Sequence, residues 1–81
     1  MIYRYEIIAE NHAGTLSRIA RLLESRNHAL LILQSKTLDN ELSHISLSIR
    51  ATPQNAEKIR LLIQKMIDVV EVQVRENAEA V

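Results

Sequence analysis

From Ile2 onward the chain alternates between two kinds of position. Tyr3, Tyr5, Ile7 and Ala9 fall on one side of a period of two, and Ile2, Arg4, Glu6 and Ile8 on the other. That period is the pleat of a β-strand, so residues 2–9 are predicted to form the first strand. Beyond Asn11 and Gly14 the period changes. Leu16, Ile19, Ala20 and Leu23 lie one above another at helical spacing, with Arg18, Arg21 and Glu24 turned away, which predicts a helix ending near Arg26-Asn27. Residues 29–37 (ALLILQSKT) read as the second strand. Leu38-Asp39-Asn40-Glu41 supplies turn residues, and Ile45, Leu47 and Ile49 alternate with His44, Ser46 and Ser48 as the third strand over 42–50, closing a hairpin.

Thr52-Pro53 is a helix-opening pair, because threonine caps free N–H groups and proline at the first helical position has no N–H to leave unpaired. The apolar stripe that follows is Ala56, Ile59, Ile63, Met66 and Ile67, with Asp68 closing the helix. Val70, Val72 and Val74 then alternate with Glu71, Gln73 and Arg75 as a fourth strand. Residues 1–75 are expected to make one domain, and residues 76–81 a disordered C-terminal tail. The order βαββαβ predicts an α+β, ferredoxin-like sandwich: an antiparallel four-stranded sheet with both helices on one face. Strands one and three should be central, two and four at the edges.

The second strand departs from its neighbours. Leu30, Leu31, Ile32 and Leu33 are apolar on both sides of the pleat, whereas an edge strand left open in a monomer is normally blunted by charge, proline or a bulge. An 81-residue domain buries only about 60–65% of the surface its unfolded chain exposes, so a partner subunit would add stability. A second copy, paired along this edge about a two-fold axis, is therefore expected to cover Leu30–Leu33 in a homodimer. The alternative is a strand that leans under the helices at one end.

Composition narrows the function. Lys plus Arg and Asp plus Glu are both 10, and the net charge is zero, so the basic footprint of a nucleic-acid binder is missing. The outward positions of the central strands, Arg4, Glu6, His44, Ser46 and Ser48, carry no aromatic ring on which a base could stack. There is no cysteine, the longest uncharged apolar run (29–33) is far short of the roughly 20 residues of a membrane span, and no signal-peptide pattern follows Met1. A cytoplasmic location is the expectation. His12, His28 and His44 show no helical i, i+4 pairing and no accompanying cysteine, so neither a metal nor a catalytic residue is expected.

The chain has one glycine, Gly14, between the first strand and the first helix. Glycine there permits a positive φ and close approach of another molecule to the backbone, beside the free N–H groups and positive dipole end of a helix. Amides of Ala13, Gly14, Thr15 and Leu16 could receive a carboxylate, with the side chain of Asn11 completing an amino-acid clamp and Glu10 and His12 tuning its charge. Equally, Asn11 could simply cap the loop and Gly14 simply turn it.

Asn11-x-x-Gly14-x-Leu16-Ser17-Arg18-Ile19, then Arg26 and a strand, then Gln64-Lys65-Met66-Ile67-Asp68-Val69 resembles an ACT domain, specifically the short, single-ACT small regulatory subunit of acetohydroxyacid (acetolactate) synthase. The resemblance spans residues 2 to about 75. It implies a non-enzymatic subunit in valine, leucine and isoleucine synthesis. Thiamine diphosphate, magnesium and FAD would belong to the large catalytic partner, with no cofactor on this chain. In such subunits paired ACT domains hold the feedback amino acid between the glycine loop of one copy and the start of strand two of the other, which here adds Ala29 and Leu30 to the loop residues. Where relatives carry R-G-Y-N-I, this chain has Arg26-Asn27-His28-Ala29-Leu30. Ala29 lacks the amide that would bond the ligand, and losing such a partner costs a charged group about 1.5–3 kcal/mol, or one to two decades of affinity. Longer members add a second domain after the ACT domain, and short ones activate their partner with little valine inhibition. The expectation is an activating subunit with weak or absent valine control. The alternative is a free-standing ACT-type amino-acid sensor that docks on another enzyme or regulator. Candidate contact surfaces are the outer sheet face and the exposed side of the first helix, Arg18, Arg21, Glu24 and Ser25.

Overall fold

A computed structural model describes residues 1–12, 14–26, 30–39 and 41–77. Its elements are β1 (Ile2–Glu10), α1 (Thr15–Ser25), β2 (Leu30–Thr37), β3 (Leu42–Arg50), α2 (Pro53–Gln64) and β4 (Val69–Asn77). The sheet order is β2-β3-β1-β4 and every pairing is antiparallel, so the fold is the expected ferredoxin-like βαββαβ sandwich.

The period-two pattern of β1 decides which face meets the helices. Tyr5 lies opposite Leu47 of β3 and Val74 of β4, and Ile7 opposite Ile45 and Val72. These side chains pack with Ile19 and Leu23 of α1 and Ala56, Ile59 and Ile63 of α2 into one core. The Tyr5 hydroxyl is buried there and donates to the Ala56 carbonyl at 2.6 Å, tying the central strand to α2. Burial pushes that hydroxyl well above its ordinary titration range, so it remains a donor at all physiological pH. At the start of α2 the Thr52 side chain accepts from the Asn55 N–H at 3.2 Å with Pro53 next to it, as the sequence required.

Three features differ from expectation. Helix α2 ends at Gln64, and the turn that follows breaks the 3.6 period. Met66 still packs on the core, but Ile67 is 92% exposed and leaves the stripe. On β4, Ile8 faces Glu71 while Ala9 faces Val69, so Val70 is an extra residue. This bulge turns Val69 toward the core and leaves Val70 63% exposed, which is why Val70 does not share the side of Val72 and Val74. β4 also runs to Asn77, beyond the expected end at Arg75, while residues 78–81 lie outside the described residues.

β2 is an edge strand with an irregularity of its own. Leu30 faces Ile49 and Ile32 faces Ser48, so Leu31 is the extra residue. Leu30 and Leu33 pack on the core, Ile32 lies on the outer face, and all four apolar residues are half-buried in a single chain. The run that looked two-sided is thus partly satisfied by a bulge, which is also one of the devices that blunt an edge.

The outer sheet face is less wet than its composition implies. Ser46 and Ser48 are buried, flanked in register by the longer Glu6, Gln34, Arg4 and Ile32. Glu6 accepts from Arg4 Nε at 2.6 Å and Ser46 Oγ at 2.5 Å, and lies 2.9 Å from His44 Nε2. Burial alone would raise the Glu6 pKa, but the bonds from Ser46 and Arg4, with the charges of Arg4 and His44, outweigh it and hold the carboxyl below its ordinary value. A depressed folded-state pKa adds stability that is complete above the unfolded value and is lost as pH falls through the folded one. Stability measured by denaturant titration should therefore fall below about pH 4.5, the ordinary carboxyl range, and less steeply in Glu6→Gln. An unchanged acid slope in that variant would remove Glu6 as the cause.

Candidate functional site

The loop from β1 into α1 is built around Gly14. Its φ of +92° is left-handed, and it is the N-cap of α1 with no side-chain cap on the helix end. A Cβ at Gly14 would meet only Arg18 Nη1 at 3.5 Å, so backbone conformation rather than space selects glycine here. The Thr15 N–H donates to the His12 carbonyl at 3.3 Å and the Arg18 N–H to the Gly14 carbonyl at 2.9 Å. Among the described residues, the N–H groups of Gly14 and Leu16 have no backbone acceptor.

A small cavity of about 160 Å³ adjoins this loop and takes in Asn11, His12, Gly14, Thr15, Leu16 and Ser43. Five of the candidate loop residues are thus brought together. Ala13 and Ala29 lie outside the described residues. Leu30 is not brought to the loop within one chain: it faces Ile49, which faces Tyr3, whereas Asn11 follows Glu10 at the other end of the sheet, opposite Leu42. Asn11 offers less than its sequence implied, because its side-chain carbonyl accepts from Ser43 Oγ at 2.8 Å. One of the two lone pairs of that carbonyl is thereby used, which leaves one acceptor position and the amide donor, and so favours a carboxylate over an ammonium group.

Sequence reasoning treated Asp68 as a helix terminator and Arg18 as a solvent-facing charge. The two form an ion pair, and Asp68 also accepts from the buried Thr15 hydroxyl at 3.0 Å. Asp68 itself is buried at 8% exposure, and its carbonyl accepts from the Glu10 N–H at 2.7 Å. The start of α1 is therefore clamped to the turn before β4. The signal was present: Arg18 ends the first motif and Asp68 sits in the second, but nothing in their spacing says that they meet.

Glu10, His12 and Asp68 carry ligand atoms within 4.8 Å of one another. The Arg18 guanidinium already compensates Asp68, so a metal at this place would have to displace a cation. No helix among the described residues is long and apolar enough to cross a membrane.

No curated protein sequence matches the chain. Among solved structures, it is similar to the ACT domain of GTP pyrophosphokinase from Chlorobium tepidum, with a TM-score of 0.80 at 15% identity, covering 99% of this chain and 91% of that one. It is also similar to the acetolactate synthase small subunit from Thermotoga maritima, with a TM-score of 0.80 at 17% identity, covering 91% of this chain and 47% of that one. A homoserine dehydrogenase from Thiobacillus denitrificans gives a TM-score of 0.72 at 19% identity over 90% of this chain and 16% of that one. At these identities the likenesses establish the fold alone. The family model described as the AHAS small subunit-like ACT domain matches residues 5–71, most of the chain and the whole of both motifs, and the protein belongs to that family.

Proposed function

We propose that this protein is a non-catalytic, activating subunit of acetolactate synthase in branched-chain amino-acid biosynthesis, with weak or no feedback by valine. The observation that carries the reading is the family match over residues 5–71, which includes the Asn11–Gly14 loop and the helix end it exposes. ACT domains are regulatory modules, and the chemistry would reside on a large partner subunit carrying thiamine diphosphate, magnesium and FAD. The reading includes the pairing of two copies along β2 in a homodimer. In an antiparallel pair about a two-fold axis, the Leu30 end of one β2 meets the Thr37 end of the other. Thr37 faces Ser43, which bonds Asn11, so the Leu30 end of a second copy's β2 would come beside the loop. With alanine at position 29 and the Asn11 carbonyl already engaged, the composite site is short of polar partners, and valine would bind weakly.

The test is the activity of the cognate catalytic subunit with and without this protein, across millimolar valine, alongside sedimentation of the free protein in dilute buffer. Activation that persists in valine, from a dimer, is the expected result. Strong valine inhibition would overturn the insensitivity, a folded monomer would remove the composite site, and failure to activate would overturn the subunit assignment.

A further inference from the structure

Helix α2 carries two stripes. Ala56, Ile59 and Ile63 face the core, as any surface helix requires. The second stripe, Lys58, Leu61, Leu62 and Lys65, has the i, i+3, i+4, i+7 spacing of a single helix face, and together with Arg26 at the end of α1 it lines an open groove of about 240 Å³. Leu61 is 43% exposed at its centre. Lys58, Lys65 and Arg26 have no acidic partner among the described residues, whereas Arg60, on the adjacent flank, is held by Glu57 and Gln64. The sheet face differs in the same respect: its Arg4 and His44 already converge on Glu6. In a chain of zero net charge, three free cations around two leucines form a local imbalance that internal pairing does not explain.

We infer that this α1–α2 groove, rather than the sheet face, is the surface that grips the catalytic partner, and that its occupant is an acidic amphipathic segment of that partner. Leu61 and Leu62 offer the apolar floor that a docked helix or turn buries, and Lys58, Lys65 and Arg26 offer the rim that selects Asp and Glu and speeds encounter. The groove lies on the helical side of the sheet, so docking there leaves the β2 edge open to a second copy. The inference rests on the activating-subunit reading and adds to it the place and chemistry of contact.

The experiment titrates wild-type protein and the double variant Lys58→Glu/Lys65→Glu into the cognate catalytic subunit, reading the concentration that gives half-maximal activation at low and high salt. Both substitutions are at exposed positions, one within α2 and one at its C-cap, and a thermal melt checks that the variant folds. The variant should need about tenfold more protein or worse, and the wild type should weaken as salt rises. Zero-length carbodiimide coupling of the mixture should join Lys58 or Lys65 to Asp or Glu of the catalytic subunit. If wild type and variant activate at the same concentration, or coupling runs only through Lys36 on the sheet, the groove is not the docking surface although the subunit reading stands. If the wild type neither activates nor couples, the subunit reading fails and this inference falls with it.

Discussion

Leu47→Ala should lower the stability of the protein by about 2–5 kcal/mol, the cost of a cavity at a fully buried leucine. Leu47 is 0% exposed on the second central strand, between Tyr5 of β1 and Leu33 of β2. A domain of this length has a total stability of only roughly 4–12 kcal/mol at the usual 0.05–0.15 kcal/mol per residue. The substitution thus removes from about a sixth of the margin to all of it. In urea the midpoint should fall steeply with little change of slope, because the surface exposed on unfolding is nearly the same. A midpoint within a few tenths molar of wild type would mean that the sheet and helices do not share the core described above.

Breaking the Asp68 clamp is expected to be the next most damaging change. Asp68→Ala strips the acceptor from the buried Thr15 hydroxyl and the counter-charge from Arg18 together, for about 1–3 kcal/mol. For a domain of this size that is a melting point lower by roughly 5–20 °C. The share due to the ion pair is small, since the Arg18 side chain is 48% exposed and water takes over when Asp68 is gone. Arg18→Met leaves the buried Asp68 carboxylate with the Thr15 hydroxyl as its side-chain partner and no counter-charge, so it should cost at least as much as Asp68→Ala. The loss should also be local: hydrogen exchange at the first turn of α1 should accelerate more than at β1 or β3, since Asp68 clamps that turn to the entrance of β4. Wild-type melting in either Asp68→Ala or Arg18→Met would contradict this account of the clamp. Because the clamp sets the position of the first turn of α1 beside Gly14, loosening it should also weaken anything the loop holds.

Both predictions concern contacts that differ in how far the sequence announces them. Leu47 was legible: it alternates with Ser46 and Ser48, and its inward direction follows from the pleat. So were the six elements, the capping by Thr52 and the turn conformation of Gly14, because each is set by residues within a few positions of one another, and the sheet order followed from the βαββαβ sequence of those elements. The misreadings have a common origin. Ile67 and Val70 continue their local patterns, but a turn after Gln64 and a bulge opposite Ile8 change the phase, and neither depends on the residue's own neighbours alone. Ser46 and Ser48 look like wet positions until the taller side chains of the flanking strands are set beside them.

At the candidate site the same divide runs through single residues. The sequence by itself determined that Gly14 would bend the chain at a helix start, since only backbone freedom at one position was needed. It also determined that two short motifs, around Asn11–Arg18 and Lys65–Val69, would mark the family. Only the tertiary structure decided that the Asn11 carbonyl goes to Ser43, that Arg18 and Asp68 join the two motifs across 50 positions of sequence, and that Lys58, Leu61 and Lys65 line up beside Arg26. The physical reason is that periodicity fixes the side of an element on which a residue lies. Partner and exposure depend on what the fold brings opposite it, and that is a long-range fact of packing and register.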